Sequence, residues 1–194
     1  MKKCGYFFLA IVFPPTILHA GDCDATQIAE IDLAMGRTGV LADQARVSLP
    51  TDSGAVTAGY TKWFGAYSDA RRDHLRFVFS QIKVTTTAGT REYFCYHDSE
   101  SYCTSPYTDA WVENDQPYKI HFCASFFQLS TVDQDPLMIH ELSHFLENGG
   151  ADASATSADG HHCSNANSCE MLAGSDPEKS VRAANLIEFY VRDL

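Results

Sequence analysis

The sequence predicts an α+β fold in which helices precede and follow a small β-sheet. Three observations carry that expectation. The stretch Leu75, Val78, Phe79, Ile82 places apolar residues at i, i+3, i+4 and i+7, the period of an amphipathic helix. The segments Arg91–His97, Asp109–Glu113 and Tyr118–Cys123 are short, rich in aromatic and β-branched residues and bounded by turn signals, as strands are. After them the apolar pattern returns to a helical period through to the C-terminus.

The elements follow in order. Residues 1–20 have the layout of a secretory signal peptide. Lys2 and Lys3 precede an apolar run from Tyr6 to Leu18, and Ala20 is the expected last residue removed. That run is too short, and too broken by Pro14-Pro15, to favour a membrane span. Residues 21–194 show no repeat, low-complexity tract or long linker and are expected to form a single domain. Asp24 with Gln27 resembles a capping box, opening a helix through Ile28, Ile31 and Met35. Gly36 is expected to interrupt it, with a second helical piece running to about Val47. Ser68 is the expected cap of the next helix, whose His74, Arg71, Arg72 and Arg76 are assigned to its outer side. His97 and His121 fall in the strands and are read as packed or edge histidines. A final helix is expected from Pro177 to about Arg192, preceded by a helical stretch Ala166–Ala173.

Six of the 7 cysteines lie beyond the leader. An even set in an exported chain reads as disulfides, in any of fifteen pairings. Cys163 and Cys169 are close enough in sequence to pair with each other. A thiolate metal site is disfavoured because no Cys-x-x-Cys occurs. The formal charge of −11 becomes about −13 once Lys2 and Lys3 leave with the leader. Such a surface repels nucleic acid and anionic membranes. The leader and the even cysteine set make the expected location extracellular or periplasmic, and the chain is expected to be a monomer.

The chemistry is concentrated in His140-Glu141-Leu142-Ser143-His144, the HExxH pattern of zinc peptidases. On a helix, positions i and i+4 share one face, so His140 and His144 can offer imidazole nitrogens to one metal. Glu141 is placed to act as general base. Asp135 as N-cap, Pro136 at the first helical position and Asn148-Gly149-Gly150 as the stop define the expected helix. A catalytic zinc takes three protein ligands and keeps one open position. Downstream candidates for the third are Asp152, Asp159, His161 and His162.

Four ordered segments then carry a resemblance: Ile139–Gly150 (IHELSHFLENGG), Tyr60–Ala66 (YTKWFGA), Tyr118–Phe127 (YKIHFCASFF) and Leu172–Tyr190. Together they resemble the deuterolysin/peptidyl-Lys metalloendopeptidase family, the aspzincins, over roughly residues 55–192. The resemblance implies a zincin-like metalloprotease fold, mostly helical with a small β-sheet before the HExxH helix. It implies one zinc per chain held by two histidines and an aspartate, in a G-T-x-D-x-x-Y-G pattern that is not intact here. Asp159, with Ser157 two residues before it and His162 where the tyrosine belongs, is favoured as that ligand over Asp152. His162 then takes the place of a tyrosine that stabilises the oxyanion. Lysine-specific members carry two acids in the final helix. Here Glu188 is kept and Asn185 stands for the other, so the implied substrate-binding pair is Glu188 and Asn185. The implied preference is for lysine on the amine side of the cut, relaxed by the missing charge. The resemblance also pairs Cys23 with Cys95 and Cys103 with Cys123. A zincin-fold module that binds zinc or a partner without catalysis is the alternative, disfavoured by retention of Glu141.

Overall fold

The computed structural model describes residues 23–105, 108–152, 155–156 and 163–194. The expected leader, and with it Asp159, His161 and His162, lies outside the described residues.

Asp24 opens helix α1 (Ala25–Ser48) with a complete capping box, its side chain accepting from Thr26 and Gln27 while Gln27 reaches back to the Asp24 N–H. The helix runs through Gly36 without interruption, contrary to expectation. A Cβ at Gly36 would meet nothing within 4 Å, so the residue costs only local propensity, and burial of Ile31, Ala34, Met35, Ala42 and Ala45 on one face outweighs it. Gly39 has a different reason to be glycine. A Cβ there would sit 2.5 Å from Thr86 Oγ1, so its absence lets α1 cross α3 (Asp69–Thr87) at close range. Between them, α2 (Ala58–Phe64) ends at Gly65 with φ 68°, where a Cβ would lie 2.2 Å from the Ala173 carbonyl oxygen.

Ser68 caps α3 as expected, and Leu75, Val78, Phe79 and Ile82 are all buried. The polar residues of α3 are not simply external. Arg71 ion-pairs with Glu178 and bonds the Ala66 carbonyl, while Arg72 bonds Asp73 and the Thr51 carbonyl. His74 is half-buried, not on the outer side, because the loop containing Gly149 packs over it.

Strands β1 (Glu92–Tyr96), β2 (Ala110–Trp111) and β3 (Lys119–Cys123) form a sheet of order β1-β3-β2. β1 runs parallel to β3, and β2 pairs antiparallel to it at the edge. One face turns Tyr93, Ile120 and Phe122 into the core. On the other, His121 stacks between Phe94 and Trp111, a packed position as expected. His97 follows β1 and is exposed.

Helix α4 (Thr131–Ser143) packs against α1 and α7 (Ala184–Arg192). It starts earlier than expected, with Ser130 in the N-cap position and Pro136 inside. Asp135 is engaged instead with Arg37, whose Nε lies 2.9 Å from it, and Pro136 forfeits a single backbone bond while lying buried. It also ends at Ser143, before the Asn148-Gly149-Gly150 stop. Phe145 turns to ψ 132° and buries its ring, which takes the chain off the helical path.

The C-terminal helix is broken into α6 (Pro177–Ser180) and α7, after α5 (Ala166–Ser175). The break exists because Asp152 pairs with the backbone there: its N–H donates to Arg182 O and its carbonyl accepts from Ala184 N–H. Disulfides join Cys23 to Cys95, Cys103 to Cys123 and Cys163 to Cys169. Among the described residues no helix is long and apolar enough to cross a membrane.

Candidate metal centre and substrate cleft

The last turn of α4 carries His140 and Glu141, and His144 occupies its C-cap, still in helical conformation with φ −69° and ψ −25°. The two imidazoles therefore stack one turn apart, edge to face, with centroids 4.9 Å from each other. A helix end leaves carbonyls without partners, and here the following loop satisfies them. Asn148 is buried and its amide donates to Leu142 O at 2.8 Å, while Thr85 Oγ1 donates to its side-chain oxygen. The Ala151 N–H donates to Ser143 O at 2.8 Å. These bonds fix the loop that runs directly beside His144.

That loop sets the orientation of His144. Its Nδ1 lies 2.7 Å from the Ala151 carbonyl oxygen, which accepts only, so the ring proton sits on Nδ1 and the Nε2 lone pair is free. Burial, helped by the neighbouring His140, lowers the His144 pKa to about 4, against opposing pulls from the Ala151 carbonyl and Asp152. A neutral imidazole with a free nitrogen is the form that binds a metal. His140 is held from the other direction. Its Nδ1 is 2.9 Å from Glu188 Oε2, with both side chains 15 % exposed. The oxygen lies off the N–H axis, so the contact is one of charge more than of a directed hydrogen bond. Burial pushes the His140 pKa down, but the carboxylates of Glu188 and Glu141 outweigh it and the net direction is up.

Glu141 is buried on the same turn. Burial above all, and the Glu188 charge after it, raise its pKa to about 7, although His140 and the nearby Val112 backbone pull the other way. Val112 directly follows β2, so the sheet edge lies beside this carboxylate in the same cavity.

Two clefts open on either side of the His140–Glu141 pair. One, of about 810 Å³, is walled by residues 110–115 at the sheet edge and by His144, Ala151 and Asp152. The other, of about 820 Å³, includes Leu137, Asp109, Asp133, Asn185, Glu188 and Arg192. Asp152, the second of the two candidate aspartate ligands, thus shares a cavity with both histidines and is exposed there. Among the described residues no three His, Cys, Asp or Glu side chains converge on one metal position. Asn185 and Glu188, the implied substrate pair, line one cleft together. However, Asn185 donates to the Cys163 carbonyl, and both oxygens of Glu188 are engaged, by His140 and by Arg192. The sequence reading missed Val112, Ala151 and Arg192. The first two act through backbone atoms, which no side-chain pattern reports. Arg192 stands four residues after Glu188, and that helical ion-pair spacing was visible.

A helical domain with a small sheet, its edge strand lying over a helix that bears HExxH, is the arrangement of a zincin-like metallopeptidase. The sequence model of the aspzincin family, described as lysine-specific metallo-endopeptidase, matches residues 50–192. The chain belongs to that family. An extracellular protease of Aeromonas hydrophila is 29% identical over 181 residues, which cover 92% of this chain and 48% of the relative. The chain thus spans about half the length of that protein. A peptidyl-Lys metalloendopeptidase of Pleurotus ostreatus is 25% identical, covering 88% of this chain and 94% of the relative. The solved structure of a zinc peptidase from Grifola frondosa shares the fold, with a TM-score of 0.71 at 22% identity over 88% of this chain and 97% of that one.

Proposed function

We propose that this chain is an exported, zinc-dependent endopeptidase that cleaves proteins or peptides, with a relaxed preference for a basic residue on the amine side of the cut. The observation that carries the reading is the pair of imidazoles one turn apart. The Ala151 carbonyl leaves Nε2 of His144 available, and a carboxylate with its pKa raised to about 7 lies beside them. This donor set fits zinc, with His140 and His144 as two ligands and Asp159 as the third, Asp152 being the alternative. When bound, zinc polarises the scissile carbonyl and lowers the pKa of a water molecule.

The protein's own residues then have separate tasks. Glu141 takes up a proton and delivers it to the leaving amine, a task suited to a carboxyl that titrates near neutrality. Glu188 keeps a negative charge against His140, supporting the ring as a donor. The two clefts on either side of Glu141 accommodate the chain on both sides of the cut. His162 is assigned to donate to the oxyanion. Residues 21–194 act as one monomeric unit after removal of residues 1–20. A module that only binds zinc has no need of a buried carboxyl beside the two histidines that titrates near neutrality, which argues for catalysis.

The test is zinc content and cleavage of an unfolded protein, mapped by mass spectrometry, for wild type and Glu141→Gln. Stoichiometric zinc in both, with cuts lost only in the variant, is the expected result. Zinc without cleavage in the wild type refutes the peptidase, and absence of zinc refutes the site.

A further inference from the structure

We propose that Arg192 sets the substrate preference of the cleft by occupying, from within the protein, the carboxylates that would otherwise receive a cationic side chain. The proposal rests on the peptidase reading above and concerns the cleft that contains Glu188. Three carboxylates besides Glu141 line this cleft: Asp109, Asp133 and Glu188. A cavity so lined suits a lysine ammonium or an arginine guanidinium. Yet one guanidinium is already there. Arg192 Nε and Nη2 lie 3.0 and 2.9 Å from Glu188 Oε1, and Nη1 lies 2.9 Å from Asp133 Oδ1. Glu188 Oε2 faces His140, and Asp133 accepts a further bond from Ser130 Oγ at 2.6 Å. Two of the three acids are therefore paired with one side chain that ties the start of α4 to the end of α7 and cancels one of their two charges.

The arginine does not turn the cleft into a site for acidic substrates. Its Nε, Nη1 and Nη2 are all engaged by carboxylates, and the fork geometry of the guanidinium holds them there. Of the three acids, Asp109 is the one that Arg192 does not touch. A site of this kind selects by length and shape more than by charge. Discrimination by charge requires a buried partner left unpaired when the wrong side chain enters, and Arg192 supplies that partner permanently. Relaxed selectivity in the wild type and a latent cation site beneath it are the two consequences.

The experiment compares kcat/KM for two peptides that differ only in lysine or norleucine on the amine side of the cut, with wild type, Arg192→Gln and Arg192→Lys. Wild type is expected to favour lysine by less than about tenfold, since exposed charge contacts contribute little. Arg192→Gln removes the guanidinium from one oxygen of each carboxylate and is expected to raise that ratio about tenfold, with Arg192→Lys, which keeps a charge but cannot fork, in between. In parallel, calorimetry measures lysinamide and norleucinamide binding to zinc-loaded Glu141→Gln protein with and without Arg192→Gln. Tighter lysinamide binding with Arg192→Gln supports the proposal even if the wild type cleaves nothing, an outcome that would refute the peptidase reading alone. A lysine-to-norleucine ratio that stays within twofold in both measurements, in a variant that unfolds at the wild-type temperature, overturns it. Should Arg192→Gln fail to fold, Arg192→Lys carries the same comparison.

Discussion

Replacing Glu188 by glutamine should weaken zinc binding although Glu188 is not itself a metal ligand. The carboxylate lies 2.9 Å from His140 Nδ1, and both side chains are 15 % exposed, so solvent screens the contact only in part. The metal-binding ring is neutral, so the carboxylate acts on its dipole, and the gain lies well below the about 6 kcal/mol of two unit charges at that distance at an effective dielectric of about 20. Two features reduce it. Arg192 draws on the other oxygen of the same carboxylate, and the oxygen on the histidine side lies off the ring N–H axis. What remains is the general effect of a carboxylate behind a ligating histidine, tenfold to hundredfold in metal affinity, or about 1.4–2.7 kcal/mol. Glutamine preserves shape and can still accept a hydrogen bond, so the loss reports charge. The assay is zinc competition against a chromogenic chelator at constant pH, with the Glu141→Gln protein as a control that alters the site without touching Glu188. An affinity for Glu188→Gln within twofold of wild type would refute the assignment of Glu188 to His140.

Other expectations follow from the same structure. Burial first, and Arg182 second, hold the His74 pKa below its usual value, against Glu178 and the Val181 backbone. As pH falls below about 6.5 the unfolded chain takes up that proton before the folded one, so stability declines as pH drops through this window. His74→Gln should flatten that decline in urea unfolding at pH 7 and pH 5, and an unchanged slope would count against it. Gly65→Ala places a Cβ 2.2 Å from the Ala173 carbonyl at φ 68° and should cost about 2–4 kcal/mol by chemical denaturation. A cost under about 1 kcal/mol would show that α2 and α5 can part freely. Loss of Cys23–Cys95, with a separation of 72 residues, should destabilise by about 4 kcal/mol, and loss of Cys163–Cys169, with a separation of 6, by about 2. The reverse order, measured on paired serine variants, would contradict the loop-entropy argument.

Much of this protein was readable from local pattern. The α+β class, the capping box at Asp24, the Ser68 cap, the strand segments and the HExxH spacing all depend on residues within a turn or two of each other. Local physics decides such features, so sequence alone determined them. The misjudged elements share one cause. By local propensity Gly36 predicts a break and Pro136 a start, yet burial along α1 and α4 outweighs a cost of about one to three kcal/mol. The C-terminal helix was read as continuous because nothing local interrupts it, whereas the Asp152 backbone, far away in sequence, splits it at residues 181–183. The same holds at the site. Sequence named His140, Glu141 and His144 from spacing on one helix. Only the folded chain brings the Val112 backbone beside Glu141, the Ala151 carbonyl to His144 and the Glu188 carboxylate to His140. Two of those contacts join segments tens of residues apart, the third crosses a loop of seven, and two of them use backbone atoms, which every residue type carries alike. The identity of the reacting groups is thus a property of the sequence, while their protonation and aim are set by tertiary packing.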